Sequence, residues 1–448
     1  MDNAVLNFSE IIRLNQRREL AVFWFLCALF GTLILLRYRH HSAFFIDDWT
    51  IFGSRLGHLD RLGFDDFVLR RHNEHLMGGM VLWDVGLAKF FGLRNYLPWM
   101  ITVQLANCFV SWVFFRFMIR VGLATLVAAI IAPFFMIWAP LGSVAYWAPE
   151  AIFTISLAFL MVHFRYLVLD TSSNKALILG TSAAMLGIFI HSISAVLIPI
   201  SMTVLLIQRK WRSAFVASVP LVMYALWFLT YQKLPQANRW SLASNQEFPQ
   251  VRTAELFFEC TWKILSRTLW INSSPLIAVA IFVLVVIGFC ICFRRGGEQR
   301  FIAISAVVAS TIFLAGFAWS RAYLMEVLQQ DPPGRYGAVI LLLLLPLAIL
   351  PITILGRKIQ PLLRVPKKLL YFSAIAFVSL LTFLNFTLRQ PFDRDFLPIA
   401  EASLDQIQNA ADDPNLDSRD PEEFVFGDNP WIDLTYGDVA RFVRLGWL

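Results

Sequence analysis

Long apolar runs, separated by short loops that carry Gly, Pro or charged residues, dominate the chain from residue 20 to residue 388. A helix needs about 20 mostly apolar residues to cross the hydrocarbon core of a bilayer, and most of these runs approach that length. The pattern predicts an all-α polytopic membrane protein with a bundle of about eleven transmembrane helices. The predicted spans are 20–37, 97–118, 122–139, 150–168, 175–190, 192–208, 213–231, 274–293, 301–319, 336–355 and 369–388.

Basic residues set the predicted orientation. Arg17 and Arg18 precede the first apolar run and no small-residue cleavage site follows it, so it is predicted to be an uncleaved span with a cytoplasmic N-terminus. Positive charge marks cytoplasmic loops, and the most basic loops are 209–212, 294–300 and 357–368. Counting spans from these loops places the following segments on the outer face: 140–149, 232–273, 320–335 and the tail after 389.

One short apolar segment, 76–91, conflicts with this orientation if it crosses. A crossing there would put Arg116 and Arg120 on the outer face and reverse every later loop. The segment is short and contains Asp84 and Lys89, so it is predicted to lie along the membrane surface as an amphipathic juxtamembrane helix. The C-terminus is then extracytoplasmic.

The chain is accordingly predicted to have a transmembrane domain, residues 1–388, whose first extracytoplasmic loop is 38–96, and an extracytoplasmic C-terminal tail, 389–448. Hydrophobic residues make up 58% of the chain and the mean hydropathy is +0.63, which excludes an ordinary soluble protein. The net charge of +7 is spread over short loops and indicates topology, with no nucleic-acid partner. Of the five cysteines only Cys260 lies in a long loop, so no disulfide framework is expected.

Two adjacent carboxylates, Asp47 and Asp48, follow the first span, with Trp49 as an interfacial marker. An acid at the edge of a low-dielectric region has a raised pKa unless it is paired, which suits a general base. Two solvated acids at the end of a helix would give the same sequence pattern, so both interpretations are open.

A polar cluster in the same loop contains His72, Glu74 and His75. Oxygen and imidazole ligands of this kind, Asp48 with Glu74 and His75, would suit a divalent cation such as Mg²⁺ or Mn²⁺. The spacing matches no tight metal motif, so no metal cofactor is assigned, and a plain polar linker is the alternative.

Further candidates for contacts with a substrate lie on the predicted outer side. Arg335, and with less support Arg321, would bind an anion through a guanidinium, although Arg335 beside Tyr336 also suits an interfacial anchor. Glu150 begins a span and His191 lies between two short spans whose outer ends are predicted to floor a cavity; helix-end residues with ordinary hydrogen bonds are the alternative. Charged residues inside the spans are scarce, which favours chemistry at the outer face over passage through the bilayer.

The order of these features resembles the GT-C superfamily of polyprenyl-phosphate-sugar glycosyltransferases. The resemblance rests on the acidic pair after span one, the long outer loop, and a His-containing segment leading into a juxtamembrane helix that ends Phe90, Phe91, Gly92, with Pro98 opening the second span. Protein O-mannosyltransferases and the lipid A aminoarabinose transferase have a similar layout. They carry a His-Pro-Pro-like segment where this chain has His72 to His75, so acceptor and metal dependence do not carry over.

The resemblance implies transfer of a sugar from a polyprenyl-phosphate donor to a hydroxyl of a lipid, glycan or protein acceptor, at the outer face of the membrane and with inversion. A bacterial plasma membrane is expected because the chain is compact and shows no long glycosylated outer domain. Asp47 or Asp48 would be the base, and Arg335 with Arg321 would stabilise the leaving phosphate. Two other functions are weighed: a flippase or transporter of lipid-linked saccharides, and a non-catalytic subunit of a surface-polysaccharide assembly complex whose acidic tail binds a partner.

Overall fold

The computed structural model describes most of the chain. The described residues are 8–39, 44, 48–49, 51–53, 63–70, 75–138, 147–170, 173–231, 250–266, 274–326, 334–362, 376, 380, 383–384, 387, 390–426 and 434–448.

The described residues form helices and no β-strand; they include one isolated antiparallel bridge, between Phe424 and Thr435. The α-helices are α1 (Phe8–Tyr38), α2 (Phe64–Leu69), α3 (Gly78–Phe91), α4 (Leu97–Val121), α5 (Thr125–Phe134), α6 (Ala148–Phe164), α7 (Asn174–Ile190), α8 (Leu197–Ile207), α9 (Trp211–Tyr231), α10 (Gln250–Ser266), α11 (Pro275–Arg295), α12 (Gly297–Glu326), α13 (Gly334–Leu362), α14 (Gln390–Ala411) and α15 (Tyr436–Arg444). Short 3₁₀ segments cover Phe135–Ile137, Ser192–Val196 and Leu416–Ser418, and a π turn, Arg165–Leu169, extends α6.

Seven of the described helices are long and apolar enough to cross a membrane, which makes this a polytopic α-helical membrane protein. They contain Arg17–Tyr38, Leu97–Val121, Ala148–Leu169, Trp211–Thr230, Pro275–Arg295, Gly297–Ala318 and Tyr336–Lys358. Three shorter apolar helices coincide with other predicted spans: Thr125–Ile137, Asn174–Ile190 and Leu197–Ile207. Residues 369–388 lie mostly outside the described residues, so the number eleven stays a prediction.

Local sequence explains where α4 begins and ends. Pro98 lies in its first turn, where a missing backbone N–H costs nothing. Gly122 follows its last residue with φ +106°, a left-handed conformation that stops the helix and that glycine adopts without strain.

Polar side chains tie several loops together at one end of the bundle, which we call the basic end. Arg120 at the end of α4 makes ion pairs with Asp170 after α6 (3.1 Å) and with Glu298 in α12 (2.8 Å). Lys210, before α9, donates to the backbone carbonyl of Val168 over 3.3 Å. The arginine that caused the topology conflict therefore shares an end with the basic loops, as the charge pattern required.

The opposite end is called the tryptophan end, because Trp99, Trp147 and Trp447 lie there. Helix α3 stays at this end throughout: Gly79 contacts Ile190 at the end of α7, and Asp84 contacts Trp99 in the first turn of α4. The segment 76–91 therefore lies over one end of the bundle and does not pass from one end to the other.

The orientation of α3 about its own axis differs from the amphipathic expectation. Asp84 is fully buried against the protein, whereas Phe90 and Phe91 are 80% and 60% exposed and Lys89 is exposed beside them. The acid faces inward and the aromatic rings face outward, an arrangement that suits a helix lying against apolar surroundings.

The C-terminal tail folds back on the first loop at the tryptophan end. The backbone N–H of Leu93 donates to the carbonyl of Trp447 over 2.6 Å. The start of α1 lies at the other end, because Phe23 packs on Trp112 and Phe115 in the second half of α4. The N-terminal helix begins at the basic end, and the tail closes on the opposite one.

Candidate functional site

Asp48 is buried at the tryptophan end and accepts a hydrogen bond from an indole. Its Oδ2 lies 2.7 Å from Nε1 of Trp147, the residue that immediately precedes α6. The Asp48 side chain is 0% exposed, so it is not a solvated acid at the end of a helix. Its neighbour Asp47 lies outside the described residues.

Asp84 is the second buried carboxylate here, and the sequence analysis did not select it. Its Oδ1 accepts from Nε1 of Trp99 over 2.9 Å. Its Oδ2 is buried without a hydrogen-bond partner among the described residues. Burial raises the pKa of this carboxyl well above its ordinary value and the nearby charge of Asp48 raises it further, while the Trp99 hydrogen bond lowers it. We call Asp48 and Asp84 the acid pair.

Aromatic side chains enclose the acid pair. Phe44 lies 4.7 Å from Trp99, 5.0 Å from Tyr96 and 5.2 Å from Trp49, measured between ring centroids. The Tyr96 hydroxyl accepts from the backbone N–H of Ala148, which fixes the start of α6 against the start of α4. These rings exclude water and lower the local dielectric, so the two carboxylates act strongly on each other.

Two buried carboxylates of this kind favour sharing one proton, because both cannot ionise at low cost in the same apolar site. Because its pKa is raised, the Asp84 carboxyl keeps its proton to a higher pH than an ordinary aspartate does. A carboxyl that keeps its proton beside a second buried acid is an arrangement that suits acid and base chemistry in one site.

A second cluster brings together two of the predicted substrate-binding histidines. The rings of His75 and His191, 116 positions apart in the sequence, lie 4.5 Å from each other between centroids. His191 also packs on Phe153 of α6 at 4.2 Å, and Nδ1 of His75 lies 3.3 Å from Oγ of Ser192. We call His75 and His191 the imidazole pair.

Glycines at the start of α3 allow this meeting. A Cβ at Gly79 would lie 2.9 Å from Cγ1 and 3.0 Å from Cα of Ile190. A Cβ at Gly78 would meet the ring of Phe189 even more closely. Small residues at both positions therefore let α3 lie directly over the end of α7, next to the buried His191.

The remaining predicted residues divide into those near the imidazole pair and those not described. Glu150 is buried in the first turn of α6, one turn before Phe153. Tyr336 packs edge-on against Phe153 at 5.5 Å, so the backbone of Arg335 at the start of α13 is close by. Arg321 lies in α12. The side chains of both arginines, and all of His72 and Glu74, lie outside the described residues.

The acid pair and the imidazole pair are neighbours along α6. Trp147 and Phe153, which contact one residue of each pair, are six positions apart at the start of the helix, about 9 Å along its axis. One end of α6 therefore holds both clusters.

A metal site is not evident from the described donors. In the part of the chain that the structure describes, no three His, Cys, Asp or Glu side chains gather closely enough to hold a metal ion. Glu74, one member of the set considered from sequence, is not described. The residues that are described do not fit an Mg²⁺ or Mn²⁺ site.

Inside the bundle, α4 carries a buried polar stripe that the sequence analysis also missed. Gln104, Asn107 and Ser111 follow one another at helical spacing on one face, and all three are buried. These side chains are neutral, so the charge pattern of the spans does not reveal them. Asp84 could have been found from sequence as the one acid in the apolar α3 segment.

Comparison with known proteins gives no assignment. No protein-family model, curated protein or solved structure matches the chain.

Proposed function

We propose that this protein is a membrane glycosyltransferase of the GT-C type that moves a sugar from a polyprenyl-phosphate donor to an acceptor hydroxyl. The observation that carries the proposal is the buried Asp48, held by the Trp147 indole at the end of an apolar helical bundle. An acid fixed there can meet a water-soluble or lipid acceptor and a donor whose lipid chain lies in the bilayer.

In this mechanism Asp48 takes the proton of the acceptor hydroxyl as that oxygen attacks the anomeric carbon. The bond from the anomeric carbon to the donor phosphate oxygen breaks, and polyprenyl phosphate leaves with the electron pair. Attack opposite the leaving group inverts the anomeric centre, with no covalent intermediate. Asp84 stays protonated beside Asp48, because its pKa is raised, and it limits the build-up of charge in the apolar site.

The imidazole pair and Glu150 are assigned to the substrate, and Arg335 with Arg321 to the phosphate of the donor. Support comes from the contact chain His75, His191, Phe153, Tyr336, which leads from the segment just before α3 to the start of α13. A guanidinium at a helix start can bind phosphate through two parallel hydrogen bonds. No step is routed through a metal ion.

The proposed location is the bacterial plasma membrane, with the tryptophan end on the outer face. The basic end supports this orientation, since Arg120, Lys210 and Arg212 would then lie on the cytoplasmic side. Lipid-linked donors suit the outer face, where nucleotide sugars are not present.

The test uses membranes that contain the full chain and a panel of polyprenyl-phosphate sugars, with release of polyprenyl phosphate as the readout. Release is expected with at least one donor and should fall by about 10² or more in Asp48→Asn. The matched control is Asp65→Asn, an exposed acid in the same loop, which should release at the normal rate. Equal release by the Asp48→Asn variant, or no release from any donor, would overturn the proposal.

A lipid-linked-saccharide transporter is a second candidate, and the buried stripe Gln104, Asn107 and Ser111 favours it. The stripe begins about one turn beyond Trp99 and extends toward the middle of α4, which would give a polar headgroup contacts inside the bundle. Proteoliposomes loaded with a labelled donor and no acceptor separate the two functions. A transporter would move the donor across the bilayer intact, whereas the transferase would leave it on its original side.

A further inference from the structure

The last described residues of the chain close against the first loop beside the acid pair. Trp447 offers its backbone carbonyl to the N–H of Leu93 at 2.6 Å. Gly92, the preceding residue, has φ +69°, and a Cβ there would lie 2.8 Å from the same carbonyl oxygen. Only glycine allows the two backbones to approach so closely in this conformation.

Two aromatic rings accompany this backbone contact. Phe442 and Trp447 are stacked at 6.0 Å, and each meets the ring of Phe52 edge-on, at 6.4 Å and 6.5 Å. Phe52 lies four positions after Asp48 and both residues are helical, so the two side chains are expected to lie on the same side. Phe52 also lies 6.5 Å from Trp99, the indole that donates to the second acid.

We infer that Phe442 and Trp447 are positioning residues: by packing on Phe52 they hold the turn that carries Asp48 and keep water away from the acid pair. The nearby ion pair between Arg94 and Asp412, at 3.6 Å between exposed side chains, adds little to this docking. The consequence for sugar transfer rests on the proposed function, whereas the effect on the two carboxylates does not.

The experiment follows the carboxylates directly, without reference to activity. Dicyclohexylcarbodiimide reacts with protonated carboxyls in apolar surroundings, and mass spectrometry of the full-length protein measures modification of Asp84 as a function of pH. Because burial is the main cause of the raised Asp84 pKa, admitting water should lower the pH midpoint of modification. Asp48→Asn, which removes the neighbouring charge, calibrates the method by lowering the same midpoint.

Trp447→Ala should lower the midpoint by about one pH unit or more, and Trp447→Phe should restore it, because a phenyl ring can still pack on Phe52. Leu445→Ala, at an exposed position of the same segment, is the matched control and should not move it. Gly92→Ala disrupts the same contact from the side of the first loop and should lower the midpoint as Trp447→Ala does. Unchanged midpoints in both Trp447→Ala and Gly92→Ala, in folded monodisperse protein, would overturn the inference.

Turnover is measured in parallel, since a positioning residue should lower kcat while KM for the donor stays near normal. A shifted midpoint without any sugar transfer in the unaltered protein would support the positioning role and defeat the proposed function. Normal sugar transfer by the unaltered protein, with an unshifted midpoint in the variants, would support the proposed function and defeat the positioning role.

Discussion

The indole of Trp147 donates to the carboxylate of Asp48 over 2.7 Å, across 99 positions of sequence. Both side chains are buried, so this hydrogen bond joins the first loop to the start of α6 inside the protein. Hydrogen bonds to charged groups are worth more than neutral ones, and losing one donor raises the cost of keeping a carboxylate out of water.

Trp147→Phe should therefore reduce stability by about 1.5–3 kcal/mol and lower any activity that depends on Asp48. Trp83→Phe is the matched control, because its indole donates to the neutral hydroxyl of Thr102 over 3.0 Å and its loss should cost about 1 kcal/mol. Thermal unfolding of the purified variants measures the difference. Equal losses in the two variants would show that Asp48 draws no special support from Trp147.

Asp84 gives stability a dependence on pH whose sign follows from its raised pKa. The folded protein holds this proton above pH 3.8, the ordinary value, so stability falls as pH rises from 3.8 toward the folded pKa. The loss is about 1.4 kcal/mol for each pH unit between those two values.

Asp84→Asn removes this dependence while keeping an oxygen that can accept from Trp99. The free energy of unfolding of this variant relative to the unaltered protein should therefore rise between pH 4.5 and pH 8, by roughly 1.4 kcal/mol per pH unit at most. Thermal scans across that range measure the change as a rise in relative unfolding temperature. Parallel pH curves for the two proteins would contradict the raised pKa.

Gly79 should not tolerate a side chain, because a Cβ there would lie 3.0 Å from the Ile190 backbone. Gly79→Ala is expected to move α3 off α7, separate the imidazole pair and cost about 1–3 kcal/mol. Gly86→Ala in the same helix meets nothing within 4 Å and should be neutral or slightly stabilising. The unfolding temperatures of the two variants are compared. Similar values would mean that α3 can move away from Ile190 at little cost.

The orientation of the two ends can be tested by labelling. In a Cys290→Ser background, a membrane-impermeant maleimide should modify Phe64→Cys, which is exposed at the tryptophan end, in intact cells. Lys175→Cys, which is exposed at the basic end, should react only after permeabilisation. The reverse pattern would place the acid pair on the cytoplasmic side, where the proposed donor chemistry has no support.

Periodicity and loop charge were enough to predict most of the helices and the sharing of one end by Arg120 and the basic loops. They were also enough to identify α3 as a helix that does not cross the bundle, because parity requires one segment not to cross and 76–91 is short and contains Asp84 and Lys89. These features depend on local sequence and on counting, both of which can be read without knowing which residues meet.

The site itself required tertiary structure. The amphipathic pattern predicts Asp84 on the polar face of α3, whereas it is buried against Trp99. No local pattern indicates that the Asp84 carboxylate accepts a hydrogen bond from an indole 15 positions away. The same holds for the hydrogen bond from Trp147 to Asp48. The sequence predicts His75 and His191 as separate substrate-binding residues. Nothing in their spacing indicates that the two rings are in contact.

The contact between Gly92 and Trp447 has a consequence for biogenesis. Trp447 follows α1 to α13 in the chain, so the ribosome has to deliver all of those helices before Leu93 receives its hydrogen-bond partner. The pocket around the two acids is therefore completed after insertion, when the tail reaches the same side as the first loop, and a chain stalled or clipped before that point would carry the acids without their cover.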